Sequence, residues 1–290
     1  MPYGDGIPRT HCFSLTDIHD FDQCVFRFLV RHDLERKFEI DDSSPKMALG
    51  TILDETIKLY HLSTATNDPE YLSFIVRGAV RHIKTSIAEK GEKSFYFKHG
   101  EFINEALIEQ AIDIFKNYYA GLNGKIKKSL GKVGFCEYII ESPRAKFKLW
   151  GGPDTFEMGD DGVPEVVDYK YHEDPQKGAE RLDMDLTPKL YTLLSSEQLK
   201  KMGYNRARFI IRQWTDPSNT TLFTDFDLDD LGEVVKQIKQ KIEIILNNKS
   251  VSFCERSFCR ACKSEKRQEY LRELEEKKMV LLSTDVLFAP

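Results

Sequence analysis

No apolar run in this chain approaches the roughly 18 residues that a membrane-spanning helix needs, which excludes a helical membrane protein. The opening stretch, Met1 to Thr10, is polar with glycine and proline and does not read as a secretory signal. A soluble, cytoplasmic protein is expected. No internal repeat and no low-complexity linker divides the chain. Nor is there a basic excess: 42 lysines and arginines face 47 aspartates and glutamates, for a net charge of −5. That balance excludes a protein that coats its whole surface with nucleic acid. It leaves room for a local basic groove, because acidic residues gathered at a metal site lower the total. His11, His19, His32, His61, His82 and His99 show no ligand spacing.

What is present suffices for a packed core. The 290 residues hold one large domain or two small ones, and 41% of them are hydrophobic. Apolar spacing predicts helices over 15–33, 47–62, 68–89 and 101–119, with Ser14 or Thr16 capping the first. A basic connector, Gly121 to Gly131, follows. Strands are expected at 135–141 and 145–150, with 155–158 continuing the same sheet. Gly159-Asp160-Asp161-Gly162 reads as a hairpin turn into a strand at 165–171. A helix over 190–199 comes next, with Thr187 as its N-cap and Pro188 in its first turn. Strands at 206–214 and 220–226, an amphipathic helix over 228–246, a cysteine-rich loop, a charged helix over 265–278 and an apolar tail, 279–288, complete the chain. The class is α/β with a helical front end. The expected organisation is a helical N-terminal region (1–134), a core (135–250) and a cysteine module with tail (251–290), integrated as one domain.

The most informative stretch is Gly151-Gly152-Pro153-Asp154, followed thirteen residues after Asp154 by Val167-Asp168-Tyr169-Lys170. A Pro-Asp turn and a strand ending in Asp-x-Lys bring two carboxylates and an ammonium to one end of a small sheet. Two like charges about 4 Å apart repel by roughly 4 kcal/mol at an effective dielectric near 20. A cation between them is therefore expected. A hard divalent metal takes oxygen ligands, and Lys170 adds a mobile positive charge beside it. Such a site suits attack of metal-activated water on a phosphodiester.

These elements resemble the PD-(D/E)xK nuclease superfamily, and within it the RecB-like branch of CRISPR-associated exonucleases, the AddB nuclease domain and phage exonucleases. The matching residues are Gly152-Pro153-Asp154, Val166-Val167-Asp168-Tyr169-Lys170 and the helix bearing Tyr191, across roughly residues 14 to 265. Leu49-Gly50-Thr51-Ile52-Leu53-Asp54 is similar to that branch's Gly-x-x-x-His element. The resemblance implies a restriction-endonuclease-like core sheet flanked by helices. It makes Asp54, Asp154 and Asp168 ligands of Mg²⁺ or Mn²⁺, has Lys170 orient or deprotonate water, and places Tyr191 beside them. Asp54 stands where the branch has His, and its oxygen suits either ion. Thr187 stands where the branch has Gln, and its hydroxyl can still hydrogen-bond a phosphate or cap the helix.

Three of the six cysteines, Cys254, Cys259 and Cys262, lie within nine residues. In an intracellular chain close cysteines are more often metal ligands than disulfides. A tetrahedral or cubane site needs a fourth. Cys24 lies in Phe21-Asp22-Gln23-Cys24-Val25-Phe26-Arg27-Phe28, which resembles the N-terminal cysteine element of the iron–sulfur RecB-like nucleases. That resemblance implies a [4Fe–4S] cluster on Cys24, Cys254, Cys259 and Cys262. The family spacing is two intervening residues and then five. Here it is four and then two, which keeps Zn²⁺ as the alternative. Cys12 is the fallback fourth ligand, and Cys136 reads as an ordinary strand residue.

Weaker signals remain. Arg206, Arg208 and Arg212 share one strand face and read as an exposed sheet face or a DNA-backbone track. Lys125, Lys127, Lys128 and Lys132 read as a solvated connector or a phosphate-contacting loop. His172 is expected on the strand face of Lys170, and Val280 to Leu282 with Val286 to Phe288 as a docking tail. The resemblance as a whole implies a metal-dependent deoxyribonuclease. It would trim single-stranded DNA ends in recombination, repair or CRISPR adaptation, with a possible protein partner. The alternative is a non-catalytic DNA-end-binding or partner-binding subunit.

Overall fold

The computed structural model describes residues 7–36, 39, 43–63, 68–94, 96–127, 129–131, 136–141, 146–171, 186–254 and 259–281. His172, Lys128, Lys132 and the tail from 282 onward lie outside the described residues. In chain order, strand β1 (Cys12–Ser14) leads into helices α1 (Leu15–Gln23), α2 (Val25–His32), α3 (Pro45–Leu62), α4 (Pro69–Lys90), α5 (Phe97–Gly100) and α6 (Glu105–Gly121). Then come β2 (Cys136–Glu141), β3 (Lys146–Gly151), β4 (Thr155–Met158), β5 (Pro164–Lys170), α7 (Thr187–Lys201), β6 (Arg206–Gln213) and β7 (Asp216–Asp227). The chain closes with α8 (Gly232–Asn247), β8 (Ser250–Val251), α9 (Arg260–Lys263), α10 (Arg267–Glu276) and β9 (Val280–Leu281).

The single helix expected over 15–33 is two. A capping box starts the first: Ser14 Oγ accepts from Asp17 N at 3.1 Å, and the Asp17 carboxylate accepts from Ser14 N at 2.8 Å. The break falls at Cys24, whose backbone is extended (φ −165°, ψ 102°). Cys24 Sγ accepts from Arg27 N at 3.4 Å and so caps α2. Apolar periodicity runs through this break and conceals it. At α7 the first helical residue is Thr187 itself, and no side chain caps the helix.

The described residues fall into two compact units. The first comprises those within Met1–Asp42, Phe135–Gly151 and Asp230–Pro290. Its sheet runs β1-β3-β2, with β1 parallel and β2 antiparallel to β3. The second comprises those within Ser43–Gly134 and Gly152–Asp229. Its sheet runs β4-β5-β6-β7, parallel only between β5 and β6. Residues 155–158 thus begin a second sheet and do not extend that of β2 and β3. Gly151, at φ 150°, ends β3, and positive φ there favours glycine. Alternation along β5 explains the layers of the second unit. Val167 and Tyr169 face a core built with α3, α4 and α6, which also takes Trp214. Val166 joins Phe156, Ala207, Phe209, Ile211 and Leu199 of α7 in another core. A strand covered on both faces is a rigid platform, and its far end carries the charged residues.

Candidate active site and thiol cluster

The second unit gathers the sequence-predicted carboxylates. Asp154 sits in the turn before β4, and its N–H donates to Val167 O at 3.0 Å. Its Oδ2 accepts from Tyr169 N at 2.7 Å, which pins the carboxylate to the end of β5. Asp168 and Lys170, two residues apart, share a face of β5. Lys170 Nζ lies 2.6 Å from Asp168 Oδ2, and Tyr191 of α7 donates to Asp168 Oδ1 at 3.1 Å. The Tyr191 ring stacks on Phe209 with centroids 5.1 Å apart, which fixes its hydroxyl. Asp168 is buried, and its two oxygens are held by Lys170 and Tyr191. Asp54, from the middle of α3, joins the group electrostatically.

Burial and then the Asp168 charge push Asp154 up to about 6. Burial and then Asp154 hold Asp54 well above the ordinary aspartate value. Burial opposes the Lys170 charge, but Asp168 and Asp154 outweigh it, so the ammonium is held above the usual lysine value. Burial, then Asp168, raises the Tyr191 phenol, which therefore stays a donor. Three carboxylates with too little positive charge between them form a cation-seeking group. Among the described residues these three do not offer oxygens all within 4.8 Å of one another, as the four thiols below do with their sulfurs. That openness suits Mg²⁺ or Mn²⁺, since Mg²⁺ is commonly held by one or two carboxylates with waters and substrate phosphates completing the shell. The all-oxygen donor set, with Lys170 as the one ammonium against Asp168, fits such an ion.

A stability consequence follows. The folded chain holds the Asp154 proton more tightly than the unfolded chain, so stability falls as pH rises from the ordinary aspartate value of 3.8 to about 6. Asp154→Asn is expected to raise the melting temperature of metal-free protein at pH 7 by a few degrees, about 1–2 kcal/mol after solvent screening, and to change little at pH 4. Thermal unfolding at the two pH values checks this. A lowered melting temperature at both would contradict it.

A second buried charge cluster escaped the sequence reading. Glu157 and Glu165 face each other across β4 and β5. Directly opposed like charges need a cation. Arg212 supplies it, 2.8 Å from each carboxylate. Tyr169 donates to Glu157 at 2.8 Å, and Lys127 lies 3.3 Å from Glu165. Arg212 is therefore buried in an ion-pair network and not on an exposed sheet face, whereas Arg206 and Arg208 pair with Asp225 near the surface. The cross-strand register of the two glutamates was the signal that could have found it. His61 lies 3.8 Å from Glu157, and burial, then Arg212, pulls its pKa down to about 4, so the ring is neutral at pH 7. Lys58, one turn beyond Asp54, was also missed.

The first unit holds the thiols. Cys24 Sγ lies 3.5 Å from Cys262 Sγ and 3.8 Å from Cys259 Sγ, and Cys254 Sγ lies 3.9 Å from Cys262 Sγ. The Cys259 sulfur beside it pushes the Cys24 thiol up to about 12, and hydrogen bonds from Cys24 and Cys262 hold Cys259 well below a normal thiol. Four sulfurs this close cannot all ionise without a cation, so the set is compatible with metal binding. Cys12 and Cys136 are not part of it.

The sequence matches the profile of the PD-(D/E)XK nuclease superfamily over residues 12–267. The chain belongs to that superfamily, whose members generally hydrolyse phosphodiester bonds in nucleic acids with divalent metals. No curated protein matches it. Among solved structures, a crystal structure of SSO0001 aligns at 11% identity over 89% of this chain and 87% of that one, with a TM-score of 0.33. Scheffersomyces stipitis Rai1, in complex with 3'-NADP+ and calcium, aligns at 11% identity over 83% of this chain and 68% of that one, with a TM-score of 0.19. Likenesses this loose carry no argument. Among the described residues no helix is long and apolar enough to cross a membrane.

Proposed function

We propose that the chain is a metal-dependent deoxyribonuclease of the RecB-like kind, acting as an exonuclease on single-stranded DNA ends in recombination, repair or CRISPR adaptation. The observation that carries the hydrolytic reading is the joining of Asp154, Asp168, Lys170 and Tyr191 at one end of β5. Asp154 and Asp168, with Asp54, hold Mg²⁺ or Mn²⁺. The bound ion supplies Lewis-acid polarisation of a phosphoryl oxygen and acidifies water. Lys170 stays an ammonium beside the carboxylates, so it orients the attacking water and offsets charge growing on the phosphate. Tyr191 fixes the rotamer of Asp168 by its hydrogen bond. Complete carboxylate and lysine functions favour this over a non-catalytic subunit.

The four thiolates hold one metal centre that ties residue 24 to the segment 254–262. Thiolates around a single tetrahedral ion at about 2.3 Å stand about 3.8 Å apart, close to the separations of 3.5–3.9 Å seen here. A [4Fe–4S] cubane interposes iron and sulfide and spreads its thiolates further. The compactness favours Zn²⁺, and the likeness of the Cys24 segment to iron–sulfur nucleases favours the cluster. Anaerobic purification with metal analysis decides: iron with broad visible absorption, or colourless zinc.

The DNA reading is tested with linear single-stranded, linear double-stranded and circular single-stranded substrates in Mg²⁺ and Mn²⁺. Stepwise shortening of linear single strands with the circle intact is expected. Cutting of the circle would replace the exonuclease with an endonuclease. DNA binding without cutting would favour the non-catalytic subunit.

A further inference from the structure

Gly50, Asp54 and Lys58 succeed one another at four-residue spacing on α3, so they share one face of that helix. Glycine is a poor residue for a helix interior, and its presence asks for a reason. The backbone supplies none, since Gly50 is helical and has no positive φ. Among the described residues packing supplies none either, because a Cβ built there meets nothing within 4 Å. Gly78 of α4 is the contrast: its Cβ would lie 3.7 Å from Leu59 Cδ1, against the neighbouring helix α3. Among the described residues the notch at Gly50 is thus unfilled, one turn from Asp54.

On the other side of Asp54, Lys58 Nζ lies 2.9 Å from Glu55 Oε1. Its side chain is 46% exposed, while that of Glu55 is 10% exposed, so a buried carboxylate tethers the ammonium of a half-exposed side chain. Burial works against that charge, but Glu55, and after it Asp154 and Asp54, outweigh burial and hold the ammonium charged. A site with three carboxylates repels a polyanion, and a cation within one turn offsets that repulsion.

We propose that the Gly50–Asp54–Lys58 face of α3 is the track on which one DNA strand lies, its sugar-phosphate backbone passing close to the helix at Gly50 and pairing a phosphate with Lys58. The track rests on the nuclease reading. Gly50 acts by absence, since any side chain there stands where the strand passes. Lys58 positions the strand and takes no part in the chemistry.

The test compares wild type, Gly50→Ala and Lys58→Gln on single-stranded DNA with Mn²⁺, with thermal unfolding of each. Gly50→Ala is expected to keep or raise the melting temperature, because alanine favours helix. It is expected to lower kcat/KM by roughly 10–100-fold, the scale of a strand displaced by about 1 Å. Lys58→Gln is expected to raise KM with kcat nearly unchanged. It should also flatten the dependence of log affinity on log salt by about 0.7, the release expected for one phosphate contact on a single strand. An unchanged kcat/KM or a lowered melting temperature in Gly50→Ala overturns the track. So does an unchanged salt slope in Lys58→Gln. A wild type that neither binds nor cuts DNA sinks the nuclease reading and the track together, whereas a wild type that cuts beside unaffected variants sinks the track alone.

Discussion

Lys170→Ala is expected to slow DNA cleavage by about 10³-fold while keeping, or tightening, the affinity for Mn²⁺. The ammonium lies 2.6 Å from Asp168 Oδ2 and its charge is held up by Asp168 and Asp154. Removing it leaves Asp54, Asp154 and Asp168 with still less compensation. Their demand for a divalent ion therefore rises, and the metal-free protein loses stability that added ion restores. The group proposed to orient water and offset phosphate charge is lost at the same time. Single-turnover cleavage and calorimetric titration with Mn²⁺ separate the two effects. Wild-type cleavage by the variant contradicts the role given to Lys170. Lys170→Arg keeps a charge but not the compact ammonium, and recovery of only part of the rate is expected.

Cys24→Ser is expected to empty the proposed metal centre and to cost about 3–5 kcal/mol of stability, because metal bound there would contribute folding energy. Cys24 stands at the break between α1 and α2, far in sequence from Cys254, Cys259 and Cys262, yet within 3.5 Å of Cys262 Sγ. Without the centre, the α1–α2 corner is tied to the cysteine loop by weaker contacts alone. Metal content and thermal unfolding of the purified protein report the effect. Cys136→Ser is the control: its thiol is buried but outside the group, so metal content should be retained. Full metal content in Cys24→Ser would remove Cys24 from the ligand set.

Much of the fold was legible because periodicity carries burial. The spacing of Leu49, Ile52, Leu53 and Ile57 announces α3, and those four side chains are buried. Val166 and Val167 announce β5 for the same reason. Breaks were less legible. Cys24 interrupts a helical pattern through its backbone angles and a sulfur cap, neither of which alters hydrophobic spacing. The passage from β3 to β4 was also misjudged, since strand propensity does not say which sheet a strand joins. Asp-x-Lys on a strand fixes a shared face for Asp168 and Lys170, whereas Asp154 is brought beside them by its hydrogen bonds to β5 and Tyr191 by the packing of α7, which residue spacing does not announce. The Glu157–Arg212–Glu165 network was only half legible: the two glutamates face each other across the hairpin at 159–162, whereas Arg212 comes from β6, distant in sequence, and only the pairing of the strands brings it between them.

The most direct test of the central claim is cleavage of end-labelled single-stranded DNA by wild type in Mn²⁺ and in EDTA, beside Asp168→Asn. Asp168 is buried, and both Lys170 and Tyr191 converge on it. Cleavage by wild type in Mn²⁺, lost in EDTA and in Asp168→Asn with the fold intact, is the predicted result. Equal cleavage by Asp168→Asn, or cleavage by wild type that persists in EDTA, would contradict a metal-dependent site at the end of β5.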